Sequence, residues 1–125
     1  MPILNIQVVK PESQPAYPAT RIQLLADELG EILKSGPANT WVRLEYLDSG
    51  QYAENCGKPD SEDWPVFVEI IKYSLPDEES LSTESKLVTK AVAETLDRPE
   101  FNVHVIYQPE GRGRVAFGGK LVPRD

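Results

Sequence analysis

The sequence predicts an α/β (α+β) fold: a tandem β-α-β repeat whose four strands form a mainly parallel sheet, with two helices on one face. Three observations carry this. The chain states one pattern twice. Pro2-Ile-Leu-Asn-Ile-Gln-Val-Val-Lys10 is matched by Pro65-Val-Phe-Val-Glu-Ile-Ile-Lys72, residues 23–33 by 86–96, and Val42-Arg-Leu-Glu-Tyr46 by Val103-His-Val-Ile-Tyr107. Within each half, apolar residues recur at helical spacing in the middle and alternate on either side. A strand-helix-strand unit of this length forms a parallel pair through a right-handed crossover, so two units supply four strands and two helices.

Each element has its own signal. In the first helix Ile22, Leu25, Ala26, Leu29, Ile32 and Leu33 make one apolar stripe. Thr20 is expected as its N-cap, and Gly36-Pro37 stops it. Leu87, Val88, Ala91, Val92, Thr95 and Leu96 make the second stripe, with Asp77, Glu78 and Glu79 at its positive end and Asp97-Arg98-Pro99 closing it. Val42, Leu44 and Tyr46 alternate with Trp41, Arg43 and Glu45, and Val103, Val105 and Tyr107 with Asn102, His104 and Ile106. Each half ends in a short tail, 50–53 and 114–122, which suits an extra strand or hairpin. The reading is a single domain over 1–125, with pseudo-repeats 2–57 and 65–122 and a polar connector at 58–64. Two helices cannot cover Trp41, Phe67, Ile71, Phe101 and Ile106 as well as the core face, which points to a homo-oligomer.

Composition narrows the function. The chain has 125 residues and a net charge of −7, enough for one self-supporting core. An acidic protein lacks the basic surface that nucleic acid or a polybasic membrane anchor requires, so neither partner is expected. No apolar run is long enough to span a membrane, and the start lacks the basic and apolar regions of a signal peptide. One cysteine, Cys56, excludes an intramolecular disulfide, and with one histidine it excludes a Cys/His zinc site. A cytoplasmic protein without metal or cofactor is expected.

Pro2 is the residue with the most chemistry. A small residue at position 2 permits removal of Met1, which leaves a secondary amine at the head of a strand. A terminal amine titrates near neutrality, and an apolar site lowers its pKa further, so it can serve as a general base. Pro65 repeats Pro2, but its nitrogen is an amide and cannot be a base.

The run Asn102-Val-His-Val-Ile-Tyr-Gln-Pro-Glu-Gly-Arg-Gly-Arg-Val-Ala-Phe-Gly-Gly-Lys-Leu121 resembles the end of 4-oxalocrotonate tautomerase subunits. Together with Pro2 and the duplication, it makes the chain similar to the tautomerase superfamily, in its fused, double-length form, which shares architecture with macrophage migration inhibitory factor. The resemblance covers nearly the whole chain. It implies a tautomerase/MIF-like homotrimer in which the Pro2 amine moves a proton between oxygen and carbon of a small unsaturated 2-oxo or 2-hydroxy acid. It further implies that Arg43, on the family's strand arginine, binds the substrate carboxylate, a task suited to a guanidinium. His104 is the equivalent residue of the second half, and Tyr52 matches the aromatic that walls the amine. Arg112 and Arg114, in Gly111-Arg-Gly-Arg114, resemble a stretch of malonate semialdehyde decarboxylase and offer a second anion site.

Departures bear on the chemistry. The family's arginine before the first helix is replaced at about Ala16, Thr40 stands where the decarboxylase has an acid, and Tyr73-Ser-Leu-Pro76 lacks the decarboxylase's paired arginines. Decarboxylation is therefore the weaker reading. Hydration or dehalogenation of an unsaturated acid remains an alternative that needs a carboxylate near Pro2, with Glu45, Glu54 and Glu110 as candidates. A non-catalytic trimeric binding protein is the alternative from another class.

Overall fold

The computed structural model describes residues 1–57 and 64–125. The connector expected at 58–64 thus falls outside the described residues except for Trp64. Strand β1 (Ile3–Lys10) leads through helix α1 (Ala19–Ile32) to β2 (Trp41–Asp48), and β3 (Val66–Ile71) leads through α2 (Glu78–Leu96) to β4 (Val103–Tyr107). The sheet order is β2-β1-β3-β4. β1 runs parallel to β2 and β3 parallel to β4, while the central β1–β3 pair is antiparallel. The sheet is therefore mixed, with two of its three pairings parallel as expected. The antiparallel centre follows from placing two copies of one unit side by side about a local dyad.

Alternation decides which residues face the helices. Leu4, Ile6 and Val8 of β1 and Val66, Val68 and Ile70 of β3 are fully buried, and they meet Leu25, Leu29 and Leu33 from the first helical segment. Val88, Val92 and Leu96 of α2 complete the layer. The two helical stripes occupy equivalent positions, 25, 29 and 33 against 88, 92 and 96, so the repeated sequence buries a repeated face. Each such aliphatic side chain contributes roughly 1.5–3 kcal/mol. Leu87 departs from the expected stripe. It is 48% exposed, because the neighbouring Val88 holds the core position and the helix turns Leu87 outward.

The helix ends also differ in detail. Thr20 is not the N-cap of α1; Pro18 takes that place without a side-chain hydrogen bond, and Thr20 lies in the first turn. At α2 the cap is Asp77, whose carboxylate accepts from Ser80 N at 2.8 Å. The C-cap of α2, Asp97, is left-handed and ends the helix where expected.

The strand ladders revise one correspondence between the halves. Leu4 lies beside Val42, and Val66 lies beside Val103. With β2 matched to β4, Pro65 stands at the place of Ile3 and not of Pro2. The helix-free face carries Trp41, Phe67, Ile71 and Ile106, as the count of apolar residues required. Phe101 is not among them: it sits in a 3₁₀ turn, Glu100–Asn102, ahead of β4. The second tail forms a hairpin of β5 (Ala116–Phe117) and β6 (Lys120–Leu121). Its turn residues Gly118 and Gly119 both have positive φ, the conformation a two-residue hairpin turn demands. The first tail makes a single 3₁₀ turn, Ser49–Gln51, and not a hairpin strand.

Ile6→Ala is expected to cost about 2–5 kcal/mol in urea unfolding, since Ile6 is central and wholly buried. The hydrogen bonds from Ser80 hold the Asp77 carboxyl below its ordinary pKa. Its contribution to stability is thus present above the ordinary carboxylate range and is lost as pH falls through the folded value. Acid unfolding of Asp77→Ala should lack that component.

Candidate active site

Pro2 is buried at the head of β1, where its carbonyl accepts from Trp41 N at 3.0 Å. Its parity with Leu4 turns it toward the helices. There it lines a cleft of about 920 Å³ between the end of α1, the turn after β3 and the first turns of α2. Ile32 and Leu75 give the cleft apolar wall, and Lys34, Lys72, Glu79 and Glu84 give it charge. The chain's terminal ammonium, on Met1, already feels this setting: burial pushes its pKa below the ordinary value.

The charges are not equivalent. Lys72 Nζ lies 2.6 Å from Glu84 Oε1, with both side chains about 15% exposed. The Tyr107 hydroxyl donates to the other oxygen, Glu84 Oε2, at 2.7 Å. Burial, reinforced by Glu84, drives the Tyr107 phenol well above its usual pKa. Lys34, by contrast, has a left-handed backbone just past the end of α1, and no ion pair holds its ammonium among the described residues. Sequence reasoning missed these residues. Glu84 did leave a signal: it stands four residues before Val88, so it continues the core-facing stripe of α2, and a carboxylate there needs a partner.

The other expected site residues lie outside this cleft. Arg43 is on the helix-free face, where its Nε donates to Asn5 Oδ1 at 2.7 Å. Arg114 lines a recess of about 490 Å³ with Asn5, Glu69, Ile71, Gln108 and Gly111. Gly111 abuts the start of the chain; a Cβ there would run into the Met1 methyl. Arg112 is engaged by Glu110 at 3.0 Å and by the Arg124 carbonyl at 3.4 Å. Tyr52 and His104 occupy the far end of the sheet, each against Phe67, with ring centroids 6.0 and 5.6 Å away. Phe67 is opposite Gln7, well along β1 from Pro2. Asn5 borders the recesses of both Arg43 and Arg114, but one chain alone brings neither Tyr52 nor His104 to Pro2.

The three carboxylates considered at the sequence level are also elsewhere. Glu45 accepts from Gln7, Glu54 from Tyr52, and Glu110 from Leu75 N. Glu79 and Glu84 are the acids in the cleft with Pro2.

No protein-family model and no curated protein sequence matches the chain. Solved structures do. Native fused 4-OT superposes with a TM-score of 0.73 at 15% identity, over 96% of this chain and 95% of that one. The macrophage migration inhibitory factor homologue from Prochlorococcus marinus gives 0.72 at 18% identity, over 96% and 98%. The chain has the fold of fused 4-OT and of macrophage migration inhibitory factor. Pt0534, crystallised after inactivation by 2-oxo-3-pentynoate, shares this fold with a TM-score of 0.73 at 16% identity, over 96% of this chain and 94% of that one. No helix of the described residues is long and apolar enough to cross a membrane.

The Tyr52 phenol is pushed up to about 12, first by its 2.5 Å hydrogen bond to Glu54. Alkaline ultraviolet titration of Glu54→Gln should show one tyrosine ionising earlier than in the wild type.

Proposed function

We propose that the chain is a tautomerase of small unsaturated 2-hydroxy and 2-oxo acids, with the amine of Pro2 as its general base. The observation that carries this reading is the burial of Pro2 in a cleft that also holds Lys34, without an ion pair among the described residues, and already disfavours a charged terminal amine. Removal of Met1 turns the Pro2 nitrogen from an amide into a secondary amine. That amine takes the proton of the substrate's enol hydroxyl as the 2-oxo group forms. The resulting prolinium returns the proton to carbon, so the amine is restored and the substrate is isomerised. Lys34 receives the carboxylate, and the apolar wall of Ile32 and Leu75 keeps the amine poorly solvated, which favours its neutral form.

Arg43, His104, Arg112, Arg114 and Tyr52 enter this reading through the family resemblance. Because Arg43 and Pro2 project from opposite faces of the sheet, Arg43 would serve the Pro2 cleft of another copy. A homotrimer accounts for that and for the exposed face bearing Trp41 and Ile106. Fused 4-OT structures described as symmetric and asymmetric trimers share the fold and support it.

The second reading is hydration or dehalogenation of an unsaturated acid. It is favoured by Glu79, which lines the cleft and whose carboxylate has no hydrogen-bond partner among the described residues. Chloride release from 3-chloroacrylate, lost in Glu79→Gln, would support it over tautomerisation.

The deciding experiment follows the ketonisation of 2-hydroxymuconate and phenylenolpyruvate by ultraviolet absorbance, with protein whose intact mass shows loss of Met1. Pro2→Ala should lower kcat/KM by about 10²–10⁴-fold, the usual contribution of a matched base. Turnover that is indifferent to Pro2, or absent, removes the assignment. Treatment with 2-oxo-3-pentynoate should add one mass increment to the peptide that begins at Pro2.

A further inference from the structure

The cleft contains an ion pair that the chemistry above does not use. Lys72 closes β3 and Glu84 lies two turns into α2; both border the space in front of Pro2. They are held at 2.6 Å, mostly out of water, and Tyr107 of β4 fixes the second oxygen of Glu84. Three elements therefore converge to set the position of one carboxylate and one ammonium beside the chain start. A surface pair would not need such support.

We propose that Lys72 and Glu84 act as a coupled pair that sets the proton affinity of the Pro2 amine, with Tyr107 as the positioning residue that holds Glu84. This rests on Pro2 being the base. The electrostatic reason is direct. A bare carboxylate in a poorly solvated cleft stabilises a nearby prolinium and raises its pKa, whereas a bare ammonium lowers it. Paired, the two nearly cancel, so the pairing itself holds the amine at the proton affinity its burial gives. Every charged group facing Pro2 enters the balance. From the end of α1 comes Lys34, from the β3 turn Lys72 and Tyr73, and from α2 Glu79 and Glu84. Glu110 and Arg112, on the loop that follows β4, lie outside the cleft and are paired with each other. Lys34 and Glu79 lie outside the pair and offset each other in sign.

The test uses Met-free protein and reads the amine without any substrate. The rate of acetylation of Pro2 by acetic anhydride is followed against pH by mass spectrometry of the N-terminal peptide; it reports the fraction of free amine. Lys72→Met should raise the midpoint by roughly one pH unit, and Glu84→Gln should lower it. The double variant should return it to the wild-type value, which a purely structural role would not do. Tyr107→Phe, which strips Glu84 of a hydrogen bond and leaves its charge less compensated, should raise the midpoint by less than Lys72→Met does, and Lys72→Arg, which keeps the charge, should leave it in place. Where turnover is present, the acid limb of kcat/KM should follow the same order.

Midpoints that coincide in all variants, or a double variant that does not restore the wild type, overturn the proposal. Should Lys72→Met not fold, Glu84→Gln decides alone: a midpoint that fails to fall is contrary. Absence of tautomerase turnover with the expected midpoints would defeat the catalytic reading and leave the electrostatic pair standing. Retention of Met1 by every molecule would defeat both.

Discussion

The antiparallel pairing of β1 with β3 is the constraint on which the rest of the structure depends. Each β-α-β half could close its own parallel pair, but neither half alone can bury both faces of its apolar residues. Pairing β1 with β3 puts Leu4, Ile6 and Val8 beside Ile70, Val68 and Val66, and one helical layer then covers both strands. Because the pairing is antiparallel, the beginning of β1 meets the end of β3, with Ile3 opposite Ile71. Pro2 is thereby placed next to Lys72 and the turn into α2. A parallel centre would have placed it beside Pro65 and away from Lys72, Glu79 and Glu84.

The electrostatics of the cleft follow from that placement. In a protein of net charge −7, the cleft gathers cations against the general field. Lys34 and Lys72 supply them, one at the end of the first helical segment and one at the end of the third strand. Glu84 tempers Lys72, and the phenol of Tyr107 steadies Glu84. The helix-free face follows a different logic. Its polar groups pair across strands, Gln7 with Glu45, Arg43 with Asn5 and Gln108 with Glu69, among exposed or half-exposed apolar side chains. That mixture is a surface suited to a partner whose own face is partly polar.

Much of the fold was legible because it was written twice. The helical stripes at 25, 29 and 33 and at 88, 92 and 96 are visible as spacing alone, and so is the alternation of Val42, Leu44 and of Val103, Val105. Small errors had local causes. Thr20 has the chemistry of a cap, but Pro18, with its fixed φ, starts the helix two residues earlier. Pro65 looks like a repeat of Pro2, yet strand register follows side-chain parity, and parity places Val66 with Leu4.

The candidate site was less legible. Pro2 stands out by position and chemistry, and Arg43 and Arg114 by resemblance. Lys34, Lys72 and Glu84 are ordinary charges in the sequence, separated by long stretches of chain. The sequence by itself determined the two helices, the four main strands and the core stripes, because these rest on short-range periodicity. Only the tertiary structure decided which charges surround Pro2 and which arginines lie behind the sheet. Those facts depend on the antiparallel register of β1 and β3, a long-range pairing that no local pattern specifies.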